Sequence, residues 1–127
     1  MEDTRIKKKV LVVDDDNNLN TVLVDMLNLS GFEATGAADG VEGLEKALAI
    51  HPDVIFLDLM MPKMGGWETL DKLREDAWGK TAKVIILTAL ENENYIAKGM
   101  EKNINGYLMK TSQGLEDIVK QVEAVLK

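Results

Sequence analysis

Residues 53–58 read DVIFLD, four consecutive apolar residues between two aspartates. An unbroken β-branched and aromatic run of this length is typical of a strand that is buried on both faces of a sheet. A similar run, VLVV at 10–13, ends in the acidic triplet 14–16, and a third, VIIL at 84–87, ends at Thr88. These runs predict buried parallel strands, each followed at its carboxyl end by a polar residue.

The segments between these runs have helical periodicity. Apolar residues recur at helical spacing after the first, second, third and fifth predicted strands, at 19–27, 41–48, 67–73 and 115–126. Phe32–Thr35 is a weak second strand, Gly106–Met109 is a fifth, and Glu91–Asn103 is a predicted fourth helix with few apolar residues. Strands that alternate with helices predict an α/β fold, with a parallel sheet, right-handed crossovers and helices on both faces.

The composition describes one acidic domain. The 127 residues carry 22 acidic and 15 basic side chains, for a net charge of −7, and 46% of them are hydrophobic. A chain of this size can bury one core, and its anionic surface argues against nucleic-acid binding, which requires cationic patches. The chain has no cysteine, which excludes a disulfide scaffold and a cysteine nucleophile. No apolar run approaches the roughly 20 residues of a membrane span, so we expect a soluble protein without membrane contact.

Chemically active side chains follow four of the five predicted strands. Asp14 and Asp15 follow the first strand, Asp58 the third, Thr88 the fourth and Lys110 the fifth. In an open parallel sheet these positions share one edge, where ligands bind at the topological switch point. Clustered carboxylates favour a hard divalent cation such as Mg²⁺, and a metal, an ammonium and a hydroxyl around an aspartate nucleophile suit a phosphoryl group. By contrast, Asp16 directly precedes a helix and is predicted to be its N-cap.

Four segments in this order resemble the receiver domain of two-component response regulators, of the stand-alone chemotaxis-regulator type. The resemblance covers residues 9–127, and the matching segments are VLVVDDD (10–16), DVIFLDLMMPKMGG (53–66), VIILTA (84–89) and GYLMK (106–110). It implies a flavodoxin-like doubly wound (βα)5 fold with strand order 2-1-3-4-5. We therefore expect residues 1–127 to be one receiver domain with a charged tail at 1–8 and no output domain.

The resemblance also implies the roles of the site residues. Asp58 would accept a phosphoryl group from a sensor histidine kinase or phosphotransfer protein, with Lys110 and Thr88 binding its oxygens. Asp15, Asp58 and the backbone carbonyl of Met60 would ligate Mg²⁺, or alternatively Mn²⁺, and Asp14 would act through metal-bound water. The switch residues would be Thr88 and Tyr107.

The same resemblance implies a cytoplasmic signalling protein. Its phosphorylation would alter the face formed by the fourth helix, fifth strand and fifth helix, to which an unidentified output protein or a second copy of the chain would bind. Direct nucleic-acid binding is not expected. The protein would be a phosphoacceptor that catalyses its own phosphotransfer and slow dephosphorylation, rather than a conventional turnover enzyme.

One position departs from the family pattern, and three alternatives remain open. The family usually has proline after the lysine of strand five, whereas Thr111 follows Lys110 here, and we predict a trans peptide bond because a cis bond before a non-proline residue costs about 3–4 kcal/mol. The alternatives are an aspartate-nucleophile, Mg²⁺-dependent phosphohydrolase, a flavin carrier on the same fold and a receiver-like scaffold without signalling.

Overall fold

A computed structural model describes residues 7–89, 93–110 and 114–126. Its strands are β1 (Lys9–Val13), β2 (Glu33–Ala37), β3 (Val54–Leu57), β4 (Val84–Thr88) and β5 (Gly106–Met109). Its helices are α1 (Asn17–Leu29), α2 (Gly40–Ile50), α3 (Gly66–Glu75), α4 (Glu93–Glu101) and α5 (Leu115–Leu126), with a short 3₁₀ helix at Gly79–Thr81. Thr111 lies outside the described residues, as does the predicted trans bond after Lys110.

The five strands form one parallel sheet in the order β2-β1-β3-β4-β5. The predicted α/β fold and strand order are therefore confirmed. The order reverses between β1 and β3, where Val13 pairs with Leu57. Asp14 and Asp58 directly follow this pair, so the switch point lies between the two strands that carry the acidic residues.

Two apolar layers cover the faces of the sheet. Alternate residues of β1 point to opposite sides, and Leu11 and Val13 belong to one layer while Val10 and Val12 belong to the other. The first layer contains buried side chains of α2 and α3, and α1 and α5 contribute to the second. Because both faces of β1, β3 and β4 are covered, their sequences are uninterrupted apolar runs.

The second strand begins and ends later than predicted. Phe32 lies before β2, because its backbone N–H bonds to Leu27 O at 3.0 Å in the turn that ends α1, and its ring packs in the core. Gly31, with a φ of 98°, makes this turn possible. The strand continues to Ala37, which pairs with Val13. The prediction missed this because Gly and Ala are not typical strand residues.

Helix boundaries follow from specific caps and turns. Asp16 is the N-cap of α1 as predicted, and its Oδ1 accepts hydrogen bonds from Asn18 N and Leu19 N, both at 3.1 Å. His51 ends α2 with a φ of 53°, directly before Pro52. Within the described residues, α4 ends at Glu101, earlier than the predicted Asn103, which has a φ of 59°. None of the helices in the described part of the chain has the length and apolar character needed to span a bilayer.

Candidate functional site

The structure brings the three predicted acidic residues together at the carboxyl edge of β1 and β3. Carboxylate oxygens of Asp14, Asp15 and Asp58 all lie within 4.8 Å of one another. Asp14 and Asp58 are buried, with 2% and 5% of their surface exposed, whereas Asp15 is exposed to solvent. The cluster thus has two buried carboxylates at its base and one at its mouth.

Lys110 connects the two buried carboxylates. Its Nζ lies 2.7 Å from Asp14 Oδ2 and donates a hydrogen bond of 3.0 Å to Asp58 Oδ2. Burial alone would lower the pKa of the Lys110 ammonium, but its contacts with Asp14 and Asp58 outweigh burial and raise it. Lys110 therefore carries its charge at neutral pH and offsets part of the repulsion between the acids.

Burial of Asp14 favours the neutral form of its carboxyl group. Desolvation raises the pKa of the Asp14 carboxyl above its ordinary value of 3.8, although Lys110 and the backbone N–H of Asp16 favour the ionised form. Asp14 Oδ1 accepts that N–H at 2.9 Å, while Oδ2 is buried 2.7 Å from the Lys110 ammonium and has no other partner among the residues that the structure describes. The site thus holds an acidic group that is incompletely compensated by the protein itself.

Asn20 on α1 supports this edge, and our sequence analysis did not single it out. Its Nδ2 contacts three carbonyl oxygens, of Val12 at 3.2 Å, Asp14 at 3.1 Å and Ala37 at 3.0 Å. It thereby joins the ends of β1 and β2 beneath the acidic cluster. A Cβ on Gly36 would lie 2.2 Å from Asn20 Oδ1, so the glycine leaves room for this side chain. The sequence did offer one signal for this role, since Asn20 has an amide side chain one helical turn after the Asp16 N-cap.

The loop after Asp58 is packed against the backbone of that residue. Asp58 N donates to Val13 O at 3.0 Å, and Met60 N approaches Asp58 Oδ1 at 3.4 Å. Gly66 N closes the loop on Leu59 O at 3.0 Å. A Cβ on Gly66 would lie 2.3 Å from Asp58 O, so α3 can begin this close only with glycine there. The backbone of Met60 is therefore adjacent to the carboxylates, while its ligand role stays a prediction.

The two predicted switch residues lie at the ends of neighbouring strands. Thr88 is 1% exposed at the end of β4, and its carbonyl accepts the backbone N–H of Lys110 at 2.9 Å. Tyr107 on β5 is partly exposed. Burial raises the pKa of its hydroxyl, with smaller contributions from Tyr95 and Asp58. Tyr107 therefore lies within electrostatic reach of both the acidic cluster and α4.

The donor set fits a hard divalent cation. Oxygen ligands from several carboxylates suit Mg²⁺, which keeps part of its water shell, and within the described part of the chain the buried Asp14 Oδ2 has only the Lys110 ammonium as a partner. Lys110 occupies one side of the cluster, and Asp15 leaves the other side open to solvent. The acidic pocket is thus of the kind through which Mg²⁺ is bound.

Comparisons with known proteins agree with this geometry. The family model for the response regulator receiver domain matches residues 10–123. The chain is 35% identical to chemotaxis protein CheY of Treponema pallidum, over 94% of this chain and 83% of that protein. It is also 35% identical to the alkaline phosphatase synthesis transcriptional regulatory protein PhoP of Bacillus subtilis, over 96% of this chain and 50% of that protein.

A solved structure has the same fold over almost the whole chain. Chemotaxis protein CheY4 of Vibrio cholerae superposes with a TM-score of 0.89 at 31% identity, over 95% of this chain and 100% of that one. The chain spans half or less of the first five curated relatives that it matches. These comparisons support neither the phosphohydrolase nor the scaffold alternative. The chain belongs to the response regulator receiver domain family.

Proposed function

We propose that Asp58 is the phosphoacceptor and that its phosphorylation controls binding of another protein at the face formed by α4, β5 and α5. The observation that carries this proposal is the contact of buried Asp58 Oδ2 with Lys110 Nζ at 3.0 Å, within a cluster of three carboxylates. A nucleophilic carboxylate beside a fixed cation can take up a phosphoryl group, whose charge the ammonium then neutralises.

The phosphotransfer proceeds by attack of an Asp58 carboxylate oxygen on the phosphorus of a phosphohistidine. The new oxygen–phosphorus bond forms as the phosphorus–nitrogen bond breaks, and the imidazole leaves and is protonated. Lys110 remains beside the acceptor and pairs with the phosphoryl oxygens. The Thr88 hydroxyl provides a further hydrogen bond. Membership of the receiver family supports a histidine kinase or a phosphotransfer protein as the donor of the phosphohistidine.

Asp14, Asp15, Asp58 and the backbone carbonyl of Met60 would hold the divalent cation, Mg²⁺ or alternatively Mn²⁺. When bound, the ion neutralises the carboxylates and the phosphoryl oxygens. The incompletely compensated charge of Asp14 supports this assignment. Lys110 Nζ contacts the carboxylates of both Asp14 and Asp58, at 2.7 and 3.0 Å.

The structural response to phosphorylation involves residues of β4 and β5. The phosphoryl group draws Thr88 towards Asp58, and Tyr107 changes rotamer in the space behind it. The face that responds includes Ile96 and Met100, which are 40% and 71% exposed on α4. An exposed apolar face of this kind fits a protein partner, either an output protein or a second phosphorylated copy. We expect this receiver domain to act in the cytoplasm, without itself contacting nucleic acid.

Incubation with Mg²⁺ and acetyl phosphate tests the proposal. We expect stoichiometric, alkali-labile labelling that Asp58→Asn abolishes. The matched control is Asp16→Asn, because Asn can replace Asp as an N-cap at this exposed position and labelling should persist. Labelling that survives Asp58→Asn, or multiple turnover of a phosphoester, would contradict the proposal. A phosphotransfer profile against candidate kinases then identifies the donor.

A further inference from the structure

The C-terminal end of α4 is attached to α3 through one arginine. Arg74 donates to Gly79 O and Ala82 O at 2.8 Å, to Asn103 O at 3.0 Å and to Lys102 O at 3.2 Å. Two of these carbonyls belong to the segment before β4, and two belong to the turn after α4. The ion pair between Lys102 and Asp71 adds a second link to α3. This end of α4 is therefore held by directional contacts with charged groups.

A different kind of contact lies further towards the start of α4. The Trp67 ring meets the Tyr95 ring edge-on, with centroids 6.4 Å apart and planes at 62°, and Lys98 Nζ lies 5.4 Å from the Trp67 centroid. A Cβ on Gly99 would lie 3.5 Å from Trp67 Cη2. Because 95, 98 and 99 are three and four residues apart, one face of α4 rests on this single indole.

Trp67 in turn lies one residue after the glycine that contacts the phosphoacceptor. Gly66 packs directly on the backbone of Asp58, and its N–H bonds to Leu59 O. On the other side, Tyr95 contributes with Asp58 to the electrostatic environment of the Tyr107 hydroxyl. Trp67, Tyr95 and Tyr107 also all pack against the same buried apolar cluster.

We propose that Tyr95 is a positioning residue of the phosphorylation response, because its ring packs edge-on against Trp67 and against the buried cluster that Tyr107 also contacts. This inference rests on the proposed function of Asp58. A rotamer change of Tyr107 on this shared cluster is expected to shift the edge contact of the Tyr95 ring with Trp67. The first half of α4 moves with Tyr95, while the hydrogen bonds of Arg74 keep the C-terminal end of the helix in place. The expected motion is thus a pivot of α4 about its C-terminal end.

The test uses the fluorescence of Trp67 to report on the contact between Trp67 and Tyr95. The chain has two tryptophans, so Trp78→Phe leaves Trp67 as the sole indole. We expect Mg²⁺ and acetyl phosphate to change Trp67 emission. Tyr95→Phe should keep most of this change because it keeps the ring, and Tyr95→Leu should lose most of it. Labelling of Asp58 is measured in the same samples and should be equal in both variants.

A matched control uses the other tryptophan. Trp67→Phe leaves only Trp78, whose ring stacks on His51 at 4.3 Å, at the amino end of the sheet, and its emission should not respond to phosphorylation. Amide hydrogen exchange provides a second measurement. In the wild type, phosphorylation should change exchange in the first half of α4 more than at 100–103, and Tyr95→Leu should remove that difference.

The outcomes separate this inference from the proposed function. A Tyr95→Leu protein that is labelled and keeps the full Trp67 response would overturn the inference and leave Asp58 as phosphoacceptor. Absence of labelling in the wild type would overturn both. If Tyr95→Leu does not fold by circular dichroism, Trp67→Leu breaks the same contact from α3, and hydrogen exchange of α4 then decides: an unchanged response contradicts the role of Tyr95.

Discussion

The two halves of the functional edge are built very differently. On the β1–β3 side, every residue of β3 is buried, α1 buries Leu23 and Leu27, and Asn20 joins the strand ends with three contacts. Beyond the fully buried strand β4, all four residues of β5 are only partly buried, and α4 exposes 40% of Ile96 and 71% of Met100. The acidic residues thus lie in a closely packed frame, and the segment beside them is loosely packed.

This difference has a physical consequence for signalling. Close packing keeps the carboxylates of Asp14 and Asp58 at fixed positions, which phosphotransfer requires because it depends on positioning. A segment with few buried apolar contacts has a low free energy of local rearrangement. A local charge change at Asp58 can therefore shift α4 and β5 without disturbing β1 and β3.

The largest expected effect comes from truncating one side chain in each half of this edge. Phe56 on β3 is 1% exposed, and we expect Phe56→Ala to lower the free energy of unfolding by about 3–5 kcal/mol because it opens a cavity. Met100→Ala on α4 should change it by less than about 0.5 kcal/mol because that side chain is exposed. Urea denaturation measures both, and equal losses would mean that the two halves are packed alike.

The second test concerns the link between α3 and the end of α4. Arg74→Met keeps the bulk of the side chain and removes its bonds to four carbonyls. We expect a loss of about 1.5–3 kcal/mol in unfolding free energy, typical of hydrogen bonds to charged groups. Amide exchange should also become faster at 102–104. The exposed Lys72→Met variant on the same helix is the control, and a similar loss there would argue against a specific role of Arg74.

The third test compares two neighbouring glycines in the loop that follows Asp58. A Cβ on Gly66 would lie 2.7 Å from Leu59 Cα and closer still to Asp58 O, whereas a Cβ on Gly65 would meet Leu59 O at an ordinary 3.5 Å. Gly66→Ala should therefore destabilise the fold by about 1–3 kcal/mol and slow labelling of Asp58, because backbone atoms must move. Gly65→Ala should do neither. Equal labelling rates for the two variants would show that the packing of Gly66 is unimportant for the acceptor.

The smallest expected effect is a dependence of stability on pH. Because burial raises the pKa of Asp14 above 3.8 in the folded protein, the contribution of this group to stability is fully present below pH 3.8. It is lost as the pH rises through the folded pKa, since the unfolded chain gives up the proton more readily. Asp14→Asn should thus raise the urea midpoint at pH 7 without divalent cations, and the gain should disappear at low pH.

Asp16→Asn is the control for that titration, because Asp16 is exposed and Asn preserves the cap. It should leave the urea midpoint unchanged across the same range. A midpoint that falls in Asp14→Asn at pH 7 would mean that the ion pair with Lys110 outweighs the cost of burying the carboxylate. In the wild type, added Mg²⁺ should raise the midpoint by binding the folded state.

Much of the architecture is encoded locally. Uninterrupted apolar runs at 10–13, 54–57 and 84–87 identify strands covered on both sides, and their alternation with helices allows few arrangements. Asp14, Asp15, Asp58, Thr88 and Lys110 could be assigned to one edge because parallel strands all place their carboxyl ends there. The boundaries of β2 could not, because Gly36 and Ala37 pair with β1 through backbone atoms that any residue has.

The contacts that connect the elements depend on the assembled fold. Asn20, Arg74 and Tyr95 are ordinary helix residues in the sequence, and their partners lie on other elements: strand ends for Asn20, two separate turns for Arg74, and α3 for Tyr95. Periodicity and strand ends thus determined the parallel sheet and its acidic edge, since those follow from short-range patterns, whereas the strand order was implied by the family resemblance. Which side chains support that edge, and which contact α4, depended on distances between residues far apart in the chain.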